Sequence, residues 1–166
     1  MNFFTRAARV AFRIKPYTPA ARFYANEAPS NNLKFSFALP HQTIYQNADV
    51  QQVNISSTAG DMGILANHVP SIEQLKPGII EVLENATTTK KFFVSGGFAI
   101  INSNSSLDIN AVEAFPLEDF SIEAVRTGLA EAQRTVASNS SEEEKNIARI
   151  EVEVYEALQS ALGKGS

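Results

Sequence analysis

Short runs of alternating apolar and polar residues recur between residues 33 and 116, with turn residues between them. The first run is Leu33 to Leu39, LKFSFAL, in which large apolar side chains occupy every second position before Pro40. A period of two is typical of a β-strand with one buried face. Further candidates recur about every ten residues, at 43–45, 50–55, 63–65, 78–83, 91–95, 98–102 and 107–112. This spacing leaves no room for a long helix in the region.

The breaks between these runs carry residues that favour turns. They lie at Gly60–Asp61, Lys76–Gly78, Asn85–Thr89, Gly96–Gly97 and Asn102–Ser106. Because many short strands at this interval are typical of packed or closed sheets, the pattern predicts an all-β sandwich or barrel. With 44% apolar residues in 166, the chain can bury the core that such a domain needs. We place this β-sandwich domain at residues 33–118.

The hydrophobic period changes after Phe115 and Pro116. Ser121 can cap a helix in which apolar residues recur at intervals of three and four. These residues are Ile122, Val125, Leu129, Ala132 and Val136. A polar stretch at 138–141 then interrupts the pattern.

A second helix is predicted to begin after Ser141. Ser141 and Glu144 match the Ser-x-x-Glu capping box, in a first turn where the helix dipole favours the negative charge of three glutamates. Its apolar stripe and predicted C-cap are Ile147, Ile150, Val154, Leu158, Ala161 and Gly163. Two such helices with a short link predict a C-terminal antiparallel two-helix hairpin at 119–163. Helices this short depend on tertiary packing, so their remaining apolar edge must cover the sandwich or another protein.

The N-terminal segment is basic and amphipathic. Of the 14 basic residues, five precede Glu27, which is the first acidic residue of the chain. Such a segment is typical of a mitochondrial transit peptide, although a disordered basic arm or a helix lying on a membrane surface has similar composition. We predict a transit peptide at 1–24, cleavage near Tyr24 and Ala25, and a flexible segment at 25–32.

Composition excludes several classes of protein. The chain has no cysteine, which excludes disulfide scaffolds, thiol nucleophiles and iron–sulfur clusters. After residue 26, nine basic residues face 18 acidic ones, which disfavours binding to nucleic acid. No apolar run approaches the roughly 20 residues that span a bilayer.

Residues with catalytic or ligand-binding chemistry are few. The two histidines are His41 and His68, too few for a metal site without carboxylates, and no metal or other cofactor is expected. The run Gly60 to Gly63 lacks the lysine and hydroxyl of a phosphate-binding loop, so a turn is the simpler interpretation. Ser95 lacks the glycine that a nucleophile elbow places two residues earlier. The sequence therefore predicts an interaction protein and not an enzyme.

The stretch from Thr58 to Gly78, TAGDMGILANHVPSIEQLKPG, resembles the motif of the δ/ε subunit family of ATP synthases, δ in mitochondria and ε in bacteria and chloroplasts. Supporting matches lie at 35–41, 92–99 and 114–117. The resemblance covers nearly all of residues 33–162. It implies a sandwich of about ten strands in two sheets, followed by the two-helix hairpin.

The resemblance also implies a non-catalytic role in the central stalk. Family members couple rotation of the c-subunit ring to the γ subunit, and the mitochondrial ones also bind a small ε subunit. This implies a location in the mitochondrial matrix, peripheral on the inner membrane. It further implies that Asp61, Asn67 and His68 face the c-ring. The alternative is that Asp61 only stabilises its turn and His68 only orients the loop before Pro70.

A rotor joint must transmit torque without slipping, because each charge that crosses the membrane delivers about 2.3 kcal/mol per 100 mV. We therefore expect more than about 1,000 Å² of interface, and an exposed apolar patch on one sandwich face. The alternative function is a nucleotide-sensing regulatory module that uses the hairpin. Its first helix has Arg126 and Arg134 but lacks the Asp-x-x-Arg-Ala run of nucleotide-binding relatives.

Overall fold

The computed structural model describes residues 32–163. The predicted transit peptide at 1–24, the cleavage position near Tyr24 and Ala25, and all but the last residue of the segment 25–32 lie outside the described residues. Ten strands precede a 3₁₀ turn at Leu117–Asp119 and two helices, α1 at Ile122–Ala137 and α2 at Glu142–Gly163. The strands are β1 Leu33–Ala38, β2 Thr43–Val50, β3 Gln52–Ser57, β4 Gly60–Leu65, β5 Ser71–Leu75, β6 Gly78–Leu83, β7 Thr89–Val94, β8 Gly97–Ile101, β9 Ser106–Ala111 and β10 Ala114–Pro116. The predicted fold class is confirmed.

The strands form two layers of five. Sheet I has the order β10-β7-β6-β3-β4, and sheet II has the order β5-β8-β9-β1-β2. A single residue pair, Ser57 with Leu75, joins the two layers where β3 meets β5. Neighbouring strands are antiparallel except β1 and β9, which are parallel. Within residues 32–163 the end strands β10, β4 and β2 do not pair with one another, so the strands form an open sandwich and not a closed barrel.

The core lies between the two sheets and contains the residues that the alternation predicted to be buried. Leu33, Phe35 and Phe37 of β1 are fully buried. They face the inward side chains of sheet I, which include Val53 and Ile80. Burying each such side chain contributes about 1.5–3 kcal/mol before conformational entropy is counted.

A polar contact closes one side of the sandwich. Tyr45 Oη of β2 donates to Glu84 Oε1 at 2.7 Å, and Lys90 Nζ lies 2.9 Å from the same oxygen. Burial, followed by the hydrogen bond to Glu84, raises the pKa of Tyr45. The Tyr45 ring also packs edge-on against Phe92. The two sheets are thus held together by aromatic packing and by a neutral phenol.

Two local predictions were wrong. The predicted turn at Gly60–Asp61 is the start of a regular strand, Gly60–Leu65, which extends the strand predicted at 63–65, because the tight turn lies one step earlier, at Thr58 and Ala59. The strand β5, Ser71–Leu75, was missed because its inward side presents Ser71 and Glu73 before Leu75, which hides the apolar alternation.

Both predicted helix N-termini are confirmed. The Ser121 side chain accepts a hydrogen bond from Ala124 N. At α2, Glu144 N donates to Ser141 Oγ at 3.2 Å, and Ser141 N donates to Glu144 Oε2 at 2.9 Å. The backbone hydrogen bond from Ser141 is the main cause that lowers the pKa of Glu144. The reciprocal bonds satisfy two backbone donors that the helix itself leaves unpaired.

The hairpin packs on the outer face of sheet I through α2. Leu158 and Ala161 of α2 are buried with Phe93 of β7 and Leu117 of the 3₁₀ turn. Phe120 packs edge-on against Phe93, with ring centroids 5.7 Å apart. The C-terminal half of α2 therefore covers the outer face of sheet I.

The predicted stripe of α2 is wrong in its first half. Ile147 and Ile150 are 53% and 63% exposed, and Ala148 is the buried residue instead. Val125 and Ala132 of α1 are buried as predicted. The small Ala148 allows the two helices to approach closely, which leaves both isoleucines on the free surface.

Candidate functional site

The predicted contact residues lie at opposite ends of one strand. Asp61 is at the start of β4, beside the β3–β4 turn, whereas Asn67 and His68 follow the end of β4. From Asp61 to the last residue of β4, Leu65, the strand runs four residues, which at about 3.3 Å per residue is roughly 13 Å. The structure brings Asn67 and His68 together but does not bring Asp61 to the same end of the sandwich.

The loop after β4 is held by the turn between β8 and β9. Asn67 N donates to Ser105 Oγ at 3.0 Å, and Ser105 Oγ donates to Asn67 Oδ1 at 3.2 Å. Asn67 and Ser105 both have positive φ, 62° and 58°. Ser105 was not predicted, and its only signal in the sequence is the run of Ser and Asn from 102 to 106.

His68 is positioned by its own loop. Its backbone N–H donates to Leu65 O at 3.3 Å, and its Nδ1 lies 2.9 Å from Val69 O, which fixes a donor at this nitrogen. The next residue, Val69, is 75% exposed. The loop therefore presents one apolar side chain beside a polar imidazole, which suits a protein contact.

An apolar patch lies on the outer face of sheet II. Ile72 of β5 pairs with Ile100 of β8, and Phe98 lies two residues along the same strand on the same face. Ile72 is 71% exposed and Phe98 is 53% exposed. We call these three residues the apolar patch. Side chains of this size are rarely left in water side by side unless they bind something.

The outer face of sheet I carries a polar row next to the hairpin. Asn54 Nδ2 donates to Glu81 Oε2 at 2.8 Å, and Lys91 Nζ lies 3.1 Å from Glu81 Oε1. The hydrogen bond from Asn54 is the largest cause that lowers the pKa of Glu81, and Lys91 adds to it. Cross-strand register places the three residues in line.

A cleft of about 550 Å³ lies between this polar row and the end of α2. Its walls include Asp61 and Gly63 of β4, Gly78 of β6, and Ser160 of α2. Among residues 32–163 no group of three His, Asp or Glu side chains is placed to hold a metal ion. Within the same range, no helix is long and apolar enough to cross a membrane.

Comparison with known families assigns both parts of the chain. The family described as "ATP synthase, Delta/Epsilon chain, beta-sandwich domain" matches residues 32–117. A second family, "Fungal epsilon subunit of F1F0-ATP synthase C-terminal domain", matches residues 120–160. The chain belongs to the ATP synthase δ/ε subunit family.

Whole-length relatives agree with this membership. The mitochondrial ATP synthase subunit delta of Neurospora crassa is 52% identical over 161 residues, covering 95% of this chain and 97% of the relative. The Agaricus bisporus subunit of the same name is 53% identical, covering 99% of this chain and 98% of the relative. The predicted δ/ε resemblance is therefore confirmed.

A solved structure also matches this δ/ε family member. It is a chain of the Euglena gracilis mitochondrial ATP synthase, from a complex described as OSCP/F1/c-ring. The TM-score is 0.77 with 27% sequence identity, and the match covers 93% of this chain and 99% of that chain. The likeness thus extends over both the sandwich and the hairpin.

Proposed function

We propose that this chain is a non-catalytic rotor subunit of the mitochondrial ATP synthase. In this role it couples rotation of the c-ring to the γ subunit, and so to ATP synthesis, from the matrix face of the inner membrane. The observation that carries the proposal is the whole-length likeness to a chain in an F1/c-ring assembly, at 27% identity. The predicted import into mitochondria is supported by relatives whose names describe them as mitochondrial.

The partners of this proposal are γ, the small mitochondrial ε subunit and the c-ring. The apolar patch of Ile72, Phe98 and Ile100 is the proposed contact with γ, because it is exposed and lies on the face that the hairpin does not cover. The exposed Ile147 and Ile150 of α2 offer a second, separate apolar surface, which we assign to the ε subunit. Two surfaces allow two partners to bind at once.

Asp61, Asn67 and His68 remain proposed partner contacts. Their placement at the two ends of β4 changes the expectation that all three face the ring together. A surface that approaches the sandwich end-on contacts either Asp61 or the loop of Asn67 and His68. Only a partner that follows the length of β4 contacts all three.

The test of the γ contact compares two apolar side chains of similar exposure. Phe98→Ser removes the centre of the apolar patch, and Ile150→Ser is the matched control on α2. The measurement is the affinity of the mature chain for an F1 head complex that contains γ but lacks both this subunit and the ε subunit. We expect Phe98→Ser to weaken binding by at least about tenfold, because buried aromatic residues dominate interface energies.

The control variant Ile150→Ser should bind the same head complex with the affinity of the unchanged chain. Equal affinity of the Phe98→Ser variant and the unchanged chain would remove the apolar patch from the γ interface. Failure of the unchanged chain itself to bind the head complex would contradict the rotor role.

A further inference from the structure

The strand β4 is an open edge of sheet I. Its six residues pair with β3 from Gly60 to Leu65 without a register shift. Within residues 32–163, β3 is its one strand partner. An open edge presents a row of unpaired backbone donors and acceptors, which can pair with another chain.

Of the three other outer strands, β5 is joined to β3 at Leu75 and the remaining two are blunted, whereas β4 is neither. The strand β2 has register shifts against β1 at two places, and Asn47 within it has a φ of 51°. The strand β10 has three residues and ends at Pro116, which cannot donate a hydrogen bond. In contrast, β4 has neither proline nor lysine, and its register is regular. Proteins normally protect such an edge when nothing is meant to pair with it.

The hydrogen bonds of β3 show which backbone groups of β4 are directed outward. Lys76 N donates to Ser56 O at 3.2 Å, and Thr58 N donates to Gln74 O at 2.9 Å, both on the side of β3 that faces β5. Ser56 is therefore not hydrogen-bonded to its β4 partner Asp61. By alternation, the backbone groups of Asp61, Gly63 and Leu65 point away from β3, and of these the Leu65 carbonyl already accepts from His68 N. Both Asp61 and Gly63 are exposed.

The space beside this edge is suited to an added strand. The 550 Å³ cleft between β4 and the end of α2 adjoins Gly63 and could accept a side chain from a neighbouring segment. Gly63 itself has no side chain in the way. A Cβ there would lie 2.8 Å from Gln52 Nε2 and 3.0 Å from Asn54 Oδ1, so a larger residue at this position would displace these two side chains.

We infer that the outer edge of β4 binds an extended, basic segment of a neighbouring chain of the central stalk by strand pairing. Such a segment runs along β4 and contacts Asp61 at one end and the loop of Asn67 and His68 at the other. This inference rests on the proposed rotor function. It explains how residues at the two ends of β4 serve one partner.

The charge of Asp61 and of the chain as a whole indicates which class of partner the β4 edge can bind. Asp61 is exposed and forms no ion pair within the described residues. From residue 27 onwards the chain has nine basic and 18 acidic residues. A second copy of this chain would therefore be repelled, whereas a segment with Lys or Arg opposite Asp61 would be attracted.

The first test measures amide hydrogen exchange in the isolated mature chain and in detergent-solubilised ATP synthase that contains it. We expect the Asp61 and Gly63 amides to exchange at least about tenfold more slowly in the assembled enzyme. The Met62 amide, already directed to β3, should change less. Unchanged exchange at Asp61 and Gly63 in an enzyme that contains the chain overturns the inference and leaves the rotor role intact.

The second test separates strand pairing from simple burial. Gly63→Pro removes the outward N–H, and Gly63→Ala is the matched control, which adds a Cβ but keeps the N–H. Both should unfold at similar denaturant concentrations, because this N–H bonds nothing within the chain. We expect Gly63→Pro to lower incorporation into the enzyme by at least about tenfold relative to Gly63→Ala. Equal incorporation, or edge protection in the isolated chain accompanied by dimers in sedimentation, overturns the inference.

Discussion

The backbone N–H of Asn67 donates to the Ser105 hydroxyl at 3.0 Å, across 38 residues of sequence. Both residues are held at positive φ, which costs free energy for residues other than glycine. Ser105 O also accepts from Lys34 N at 2.9 Å, so this turn contacts both β1 and the loop that presents His68. The geometry of the proposed contact loop therefore depends on a residue outside that loop.

Ser105→Ala removes both hydrogen bonds between the two loops. We expect the free energy of unfolding of the mature chain to fall by about 1 kcal/mol, because each exposed hydrogen bond contributes modestly. The matched control is Ser103→Ala in the same exposed turn, which should change it by less than about 0.5 kcal/mol. Urea unfolding of the three proteins makes the comparison. Equal stability of both variants would show that the Asn67–Ser105 contact is not stabilising.

Substitutions at Gly97 and Gly60 distinguish the cost of backbone strain from the cost of a steric clash. Both have positive φ, 149° and 131°. A Cβ at Gly97 would lie 2.7 Å from Ala111 Cα of the neighbouring strand, whereas a Cβ at Gly60 would meet nothing within 4 Å. We expect Gly60→Ala to lower the free energy of unfolding by about 1–2 kcal/mol and Gly97→Ala by more than about 3 kcal/mol. Thermal unfolding of both variants tests this order, and a larger effect at Gly60 would contradict it.

The polar row on sheet I predicts a dependence of stability on acid. The folded-state pKa of Glu81 lies below its ordinary value of 4.5, mainly because of Asn54. The stabilisation is therefore fully present above pH 4.5 and is lost as pH falls below it through the folded pKa. We expect Glu81→Gln to unfold with a shallower pH dependence below 4.5 than the unchanged chain. Identical acid profiles would show that Glu81 does not contribute.

The packing of α2 predicts that substitutions in its two halves lower the free energy of unfolding by different amounts. Leu158 is 4% exposed against the sandwich, and Ile150 is 63% exposed. We expect Leu158→Ala to lower the free energy of unfolding by about 2–4 kcal/mol and Ile150→Ala by less than about 0.5 kcal/mol. Denaturation followed by circular dichroism measures both. Similar losses in the two variants would mean that α2 is not anchored through its C-terminal end.

The spacing of apolar residues and the helix-capping residues were enough to predict the sandwich and the start of both helices. The buried alternation of β1 and the Ser141–Glu144 box are local signals, and each specifies its own segment. Local signals failed where long-range pairing decides the structure. β5 has little alternation and exists because β8 pairs with it along its whole length. Ala148 is buried and Ile147 is exposed because of how closely α1 approaches α2. The sequence of one helix alone does not determine that distance.

The predicted contact residues were chosen from a motif, and a motif does not show which residues lie together. Asp61 and His68 are seven positions apart, and only the finding that β4 is straight places them at opposite ends. The apolar patch likewise needs the register of β5 with β8, because Ile72 and Ile100 are distant in sequence. Those parts of the site required the structure.

The proposed rotor role requires this chain to turn together with γ. Because the chain has no cysteine, Gln74→Cys gives it a single thiol, which benzophenone maleimide can label. Gln74 pairs with Phe98 across β5 and β8, so the label lies beside an unchanged apolar patch. Light should then cross-link the labelled chain to γ in the assembled enzyme, and proton-driven ATP synthesis should continue at the rate of the unirradiated sample. A cross-link to γ that abolishes synthesis in proportion to its yield, or a cross-link to a stationary subunit in place of γ, would rule out the rotor role.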